Sequence, residues 1–159
     1  YFKVCAAGVN RKGMVPAQTY RSPSIAKISM PAYIEELIST LHGTLPDARS
    51  RTIVKQEIDP IELDLDHSIP VALILSELLS NAFKYAYPDG EGEIRVKMNA
   101  DGNRYRLSVT DYGVGLSKPI NESNSLGVRL VEALVSQLEG TVEFQDTGNG
   151  LHVEVAIAA

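Results

Sequence analysis

The segment from residue 67 to 85 constrains the fold most, because its apolar residues recur at helical intervals along its whole length. Glu77, Asn81 and Lys84 interrupt this apolar pattern at intervals of four and three residues. In an α-helix such intervals bring side chains onto one face, so the three polar groups can point toward a common ligand. A Pro-Asp-Gly turn follows the segment. The pattern predicts a long amphipathic helix that carries a candidate polar site.

Two glycine-containing segments downstream could complete such a site. Asp111 ends a predicted strand and is followed by Gly113 and Gly115, which allow the backbone to approach a ligand closely. Gly127 lies at the start of a later helix, whose first amide groups form a natural anion site. The carboxamide of Asn81 suits Mg²⁺, a cation that prefers oxygen ligands. Together these features predict a pocket for a nucleotide and Mg²⁺.

Each of these residues also has a purely structural interpretation. Glu77, Asn81 and Lys84 could form the solvent face of an amphipathic helix, and Asp111 with its glycines could be a simple turn. In the functional interpretation Glu77 polarises a metal-bound water or acts as a base, and Lys84 contacts a phosphate as a point charge. The order and spacing of the three segments, rather than any one of them, favour the functional interpretation.

The remaining periodicity predicts a chain in which strands and helices interleave without a strict βαβ alternation. The expected fold class is therefore an α/β (α+β) two-layer sandwich, with a mixed sheet covered on one face by helices. Helices are predicted from Met30 to Gly43 and over 67–85 and 126–138, the last closed by Gly140. Strands are predicted over 52–58, 61–65, 93–98, 105–110, 141–144 and 151–157.

Composition and charge argue against several functional classes. The net charge of −5 argues against a nucleic-acid groove, and no apolar run is long enough to span a membrane. The single cysteine excludes an internal disulfide framework and is compatible with the cytoplasm. The three histidines lack Cys or His neighbours at metal-ligand spacing, so we interpret them as structural.

The first 29 residues differ in composition from the remainder. They are rich in glycine, proline, serine and basic residues, and the chain begins without methionine or a signal-peptide pattern. We interpret residues 1–29 as the end of an upstream region plus a linker, and 30–159 as one domain. The chain is accordingly expected to be a fragment of a longer polypeptide.

The three segments resemble the GHKL, or Bergerat-fold, ATP-binding domain of sensor histidine kinases, most closely the HWE and HisKA-2 types. Residues 77–86 resemble the N box, 111–116 the G1 box and 125–131 the G2 box. The usual HWE and HisKA-2 run Asn-Ala-Leu-Lys-His/Tyr-Ala-Phe-Pro-Asp-Gly is approached by residues 81–90. The resemblance covers about residues 20–158.

The resemblance implies a role for each candidate residue in binding ATP and Mg²⁺ between helices and sheet. Asn81 would hold Mg²⁺, Asp111 the adenine amine, and Gly113 and Gly115 the turn beside the base. The Gly127 backbone would contact the phosphates.

Two further features of this site follow from the resemblance. The loop from Leu116 to Asn124 would be the nucleotide lid. Arg129 would contact a phosphate.

The implied activity is transfer of the ATP γ-phosphate to a histidine, followed by relay to the receiver domain of a response regulator. No histidine precedes His42, so the phosphoacceptor helix must lie outside this fragment, on the same or a partner chain. Leu151 stands where the family usually has threonine, which removes a hydroxyl near the base. Neither nucleic acid nor a membrane is an expected partner of this fragment.

Two alternatives remain open at the level of sequence. A GHKL serine kinase of the anti-sigma type shares the boxes but phosphorylates a partner protein. A degenerate binding module would keep the fold without binding nucleotide, and the Leu151 departure is its best support.

Overall fold

A computed structural model describes residues 26–47, 49, 51–116 and 125–159. Most of the predicted upstream segment, 1–29, and all but Leu116 of the predicted lid, 116–124, therefore lie outside the described residues. The helices are α1 (Met30–Gly43), α2 (Leu65–Tyr85) and α3 (Leu126–Gln137). The strands are β1 (Ile28–Ser29), β2 (Thr52–Ile58), β3 (Glu62–Leu63), β4 (Gly92–Asp101), β5 (Arg104–Asp111), β6 (Thr141–Asp146) and β7 (Leu151–Ala158).

The main sheet has five strands in the order β2-β4-β5-β7-β6. β2 and β4 run parallel, whereas the other neighbouring pairs are antiparallel. A separate two-stranded sheet joins β1 to β3. The predicted α/β sandwich with a mixed sheet is thereby confirmed.

The core lies between the sheet and the three helices. Alternate residues of β4 and β5 are buried, as expected for strands that cover a core with one face. On β4 the intervening residues Glu93, Arg95 and Lys97 are charged and form ion pairs on the other face, such as Lys97 Nζ with Glu57 Oε2 at 2.9 Å. The largest fully buried side chains are Met30, Ile34, Ile74, Leu75, Leu79, Ile94 and Met98.

The predicted strand over 61–65 is wrong at its end, because the chain turns into α2 two residues earlier than expected. Asp64 is the N-cap of α2, and its Oδ1 accepts a hydrogen bond from the His67 backbone N–H at 3.0 Å. The ring Nδ1 of His67 lies 2.7 Å from the same oxygen. The helix therefore begins after the Asp64 cap, although the strand-like apolar alternation continues to Leu65.

The end of α3 also differs from the expectation, because the residue in the left-handed conformation is Glu139, with φ 51°, rather than Gly140. The N–H groups of Glu139 and Gly140 donate to Ser136 O at 3.1 Å and Val135 O at 2.9 Å, which forms a Schellman motif. Gly140 has a different reason to be glycine. A Cβ there would lie 2.4 Å from the carbonyl oxygen of Ala156.

Within the described ranges, none of the helices is both long enough and apolar enough to cross a bilayer.

Candidate nucleotide-binding site

The polar face of α2 meets the first turn of α3 at Gly127. A Cβ built on Gly127 would lie 2.8 Å from Glu77 Oε2 and 3.9 Å from Asn81 Nδ2. Glu77 and Asn81 are both half-buried, and their side chains form no hydrogen bond or ion pair with another described residue. Two hydrogen-bonding groups of α2 are thus held beside a helix start and are free to contact a ligand.

The start of α3 is suited to an anion. Ser125 is the N-cap, and its hydroxyl accepts a hydrogen bond from the Val128 N–H at 3.4 Å. The first amides of a helix have no partner within the helix, and the macrodipole adds partial positive charge at this end. Leu126 is exposed, so solvent or a ligand can reach this turn.

Asp111 is a buried carboxylate at the end of β5, with 6% of its surface exposed. Its Oδ1 accepts hydrogen bonds from the backbone N–H groups of Gly113 at 3.0 Å and Leu151 at 3.2 Å. These two bonds fix the orientation of the carboxylate. Oδ2 accepts no hydrogen bond from the described part of the chain, so it remains available to an N–H group of a ligand.

The two glycines after Asp111 are required for different reasons, a close backbone approach at Gly113 and a left-handed backbone at Gly115. A Cβ on Gly113 would lie 2.0 Å from the Ala86 carbonyl oxygen, which accepts a hydrogen bond from Val114 N–H at 3.0 Å. Gly115 has φ 71°, a conformation that favours glycine. The segment after Asp111 therefore lies directly against the end of α2.

Lys84 and Arg129 are not gathered into this arrangement. Both side chains are exposed, and neither forms an ion pair or a hydrogen bond with another residue that the structure describes. Of the three polar residues predicted on one face of α2, Glu77 and Asn81 are the two that the structure brings to Gly127.

Sequence reasoning missed two side chains that hold the segment around Asp111. The Tyr87 hydroxyl accepts a hydrogen bond from Tyr112 N–H at 2.8 Å and donates one to the Glu93 carbonyl. Burial raises the pKa of Tyr87, so the hydroxyl stays protonated at neutral pH. No local pattern distinguishes this tyrosine from an ordinary core aromatic residue.

The second missed side chain is Asp146. Its carboxylate accepts hydrogen bonds from Gly148 N–H at 2.8 Å and Leu116 N–H at 3.1 Å. These amides lower the pKa of Asp146 below its ordinary value. The Asp-Thr-Gly sequence is a recognisable turn signal and could have identified the first bond, but not the second, which spans thirty residues.

All three histidines have protein partners. His42 Nε2 lies 2.9 Å from Thr52 O, His67 bonds to the Asp64 cap, and His152 Nδ1 lies 2.7 Å from Thr110 Oγ1. No cluster of three or more His, Cys, Asp or Glu side chains suited to a metal occurs among the described residues. A metal at this site would therefore depend on few protein ligands, which is the usual situation for Mg²⁺ bound with a phosphate ligand.

The residues present fit a magnesium nucleotide. The free oxygen of a fixed, buried Asp111 suits the amine of a base, and the open first turn of α3 suits phosphates. The carboxamide of Asn81, beside the first turn of α3, offers an oxygen of the type that Mg²⁺ accepts. The three predicted segments thus adjoin one another, because α2 approaches Gly127 through Glu77 and the segment after Asp111 lies against Ala86.

The family model described as "Histidine kinase-, DNA gyrase B-, and HSP90-like ATPase" matches residues 66–158. The chain belongs to this family. The match covers α2, the strands β4 to β7 and α3, and so includes every candidate residue. It confirms the resemblance to GHKL domains and identifies a histidine kinase-like ATPase domain.

Relatives of this ATPase domain include histidine kinases. Blue-light-activated histidine kinase 2 of Erythrobacter litoralis is 27% identical over 135 residues, which cover 82% of this chain and 38% of that protein. The chain therefore spans less than half the length of this curated relative.

Two solved structures share the fold. The histidine kinase domain of the Erythrobacter litoralis EL346 blue-light activated histidine kinase has a TM-score of 0.74 and 24% identity, over 82% of this chain and 61% of that one. Full-length ShkA in complex with AMPPNP has a TM-score of 0.60 and 22% identity, over 86% of this chain and 32% of that one.

Proposed function

We propose that this chain is the ATP-binding catalytic domain of a two-component sensor histidine kinase. The observation that carries the proposal is the meeting of Glu77 and Asn81 with Gly127, because it joins the polar face of α2 to the anion-binding start of α3. The family match supports ATP as the ligand, and the complex of ShkA with AMPPNP supports a nucleotide in this fold. Mg²⁺ is the proposed metal.

Asn81 is the proposed Mg²⁺ ligand, and Asp111 is proposed to accept a hydrogen bond from the adenine amine. Gly113 and Gly115 form the turn beside the base, and the amides at Gly127 receive the phosphates. When bound, Mg²⁺ would neutralise phosphate charge, and the protein would contribute positioning and electrostatic stabilisation of the transferring phosphoryl group.

Glu77, Lys84 and Arg129 have proposed roles of a different kind. Glu77 lies where it could orient a metal-bound water or accept a proton. Lys84 and Arg129 are exposed and carry the positive charge expected of phosphate contacts. Both side chains are long and have no partner among the described residues, so they are free to reach the phosphates of a bound ligand.

The phosphoacceptor is proposed to be a histidine outside this fragment, with relay to a receiver domain of a response regulator. Relatives of this chain are histidine kinases, which supports this pair of partners. The chain matches only part of their length, so the phosphoacceptor histidine can lie in the part that it does not match. A cytoplasmic location is proposed on the same basis.

The Leu151 departure does not remove the contact that orients Asp111. The Leu151 backbone N–H, rather than its side chain, donates the hydrogen bond to Asp111 Oδ1. A leucine at this position therefore leaves the candidate base-binding carboxylate in place, which favours nucleotide binding over the degenerate-module alternative.

Titration of the domain with ATP, with and without Mg²⁺, tests the pocket. Asn81→Ala should bind ATP without Mg²⁺ about as well as the wild type but lose most of the Mg²⁺-dependent gain in affinity, because its amide oxygen is the proposed ligand. Asn99→Ala, an exposed position on β4, is the matched control and should retain the gain. An unchanged Mg²⁺ dependence in Asn81→Ala would refute the assignment, and no binding in any variant would favour the degenerate module.

Phosphotransfer is tested separately, by adding the domain and ATP to the remainder of the parent protein. A histidine kinase should yield an acid-labile phosphate on that protein. An acid-stable phosphate would instead indicate the serine kinase alternative.

A further inference from the structure

Tyr87 connects three elements at the base-binding end of the candidate site. It follows α2, and its hydroxyl donates a hydrogen bond to the carbonyl oxygen of Glu93 on β4. The same hydroxyl accepts a hydrogen bond from the N–H of Tyr112 at 2.8 Å. Because Tyr112 is the residue between Asp111 and Gly113, this side chain holds the backbone immediately beside the candidate base-binding carboxylate.

The ring of Tyr87 packs against Gly92, the first residue of β4. A Cβ on Gly92 would lie 2.2 Å from atoms of the ring, so any other residue there would displace it. Burial raises the pKa of Tyr87 above its ordinary value. A tyrosine hydroxyl is already protonated at neutral pH, since its ordinary pKa is about 10, and can serve as donor and acceptor at once.

A second contact from the same segment acts on the other side of Gly113. The Ala86 carbonyl oxygen accepts a hydrogen bond from Val114 N–H at 3.0 Å. Consecutive residues 86 and 87 thus hold the backbone on both sides of the glycine. The Asp111 carboxylate, which is itself bonded to Gly113 N–H, takes its position from this anchored backbone.

We propose that Tyr87 is a positioning residue for recognition of the adenine base, acting through Tyr112 N–H to set the position of Asp111. The inference rests on the proposed function, because it assumes that Asp111 accepts the amine of ATP. The HWE and HisKA-2 run that this segment resembles has phenylalanine where this chain has Tyr87. That usual run therefore lacks the hydroxyl that makes these two hydrogen bonds.

Tyr87→Phe tests the inference, since it removes the hydroxyl and keeps the ring over Gly92. Dissociation constants are measured by calorimetry for ATP and for inosine triphosphate, both with Mg²⁺. The inosine nucleotide carries a carbonyl oxygen in place of the adenine amine, so the wild type should prefer ATP by about 10- to 100-fold. Tyr87→Phe should reduce this preference by about three- to tenfold, chiefly by weakening ATP binding.

The ratio of the two affinities separates positioning from general support of the fold. A merely structural role would weaken both nucleotides equally and leave the preference unchanged. Tyr85→Phe is the matched control, because Tyr85 is 67% exposed and its hydroxyl has no partner among the described residues. It should retain the wild-type ratio.

The outcomes distinguish a failure of the proposed role of Tyr87 from a failure of the proposed role of Asp111. A wild-type preference for ATP that persists unchanged in Tyr87→Phe overturns the role of Tyr87 while leaving the nucleotide site intact. A wild-type domain that binds neither nucleotide, or binds both equally, overturns the proposed role of Asp111 and the inference with it. Urea unfolding of both variants without nucleotide shows whether each is folded under the conditions of the titration.

Discussion

Asp111→Asn should separate the structural role of this carboxylate from its proposed role in binding. In the wild type, one oxygen accepts both backbone hydrogen bonds, from Gly113 and Leu151, and the other accepts none from the described residues. An asparagine side chain can keep its oxygen in the first position and place its NH₂ group in the second. The substitution therefore preserves the internal contacts and converts the ligand-facing acceptor into a donor.

The two effects differ in expected size. The domain should lose only about 0.5–1 kcal/mol of unfolding free energy, because a neutral acceptor replaces a charged one. ATP should bind about 10- to 100-fold more weakly, which corresponds to about 1.5–3 kcal/mol for a hydrogen bond to a charged group. Asp111→Ala also removes both internal hydrogen bonds. Besides the weaker ATP binding, we therefore expect this variant to lose about 2–4 kcal/mol of unfolding free energy.

The measurements are calorimetric titration with ATP and Mg²⁺ and urea unfolding without nucleotide. Asp101→Asn is the matched control, because Asp101 pairs with Arg106 at the opposite end of the β4–β5 hairpin. It should bind ATP as the wild type does. The reasoning is refuted if Asp111→Asn binds ATP within about twofold of the wild type, or if it is destabilised as much as Asp111→Ala.

Two further predictions concern stability. Glu139→Gly should raise the unfolding free energy by about 0.5–1 kcal/mol in urea, because glycine adopts φ 51° without the steric cost that a Cβ brings there. Glu139→Ala keeps the Cβ, and a gain of the same size in that variant would contradict this explanation. Asp146 has a pKa lowered by the amides of Gly148 and Leu116, so its contribution to stability is present above the unfolded pKa and is lost as pH falls through the folded value. Melting temperatures should therefore fall more steeply in the wild type than in Asp146→Asn below about pH 4; parallel curves would contradict the assignment.

Local periodicity predicted the elements that carry the site. The helix over 67–85 and the two strands after it are regular patterns, and the structure places them within two residues or so of the predicted bounds at most ends. The errors occur where a single contact decides the boundary. The Asp64 cap starts α2 early, and the Schellman motif places Glu139 in the left-handed conformation despite the glycine beside it.

Periodicity alone could not predict which distant residues come together in the site. Glu77 and Gly127 lie fifty residues apart, and their contact depends on how α2 and α3 pack over the sheet. Only the order of the three segments, and the resemblance it supports, indicated that they would meet. Tyr87 could not be found in this way, because its proposed role depends on a hydrogen bond from a backbone group twenty-five residues away.

The two ends of the candidate site are built differently, and this difference bears on how it would work. At the proposed base-binding end, Asp111 and the amides of Tyr112 and Val114 all have protein partners, so this part is organised before any ligand arrives. At the other end, the side chains of Glu77 and Asn81 have none among the described residues. Groups without protein partners keep their hydrogen-bonding capacity for phosphate, metal and water. A rigid base end would fix the nucleotide in place, while the phosphate end could adjust as charge develops on the transferring group.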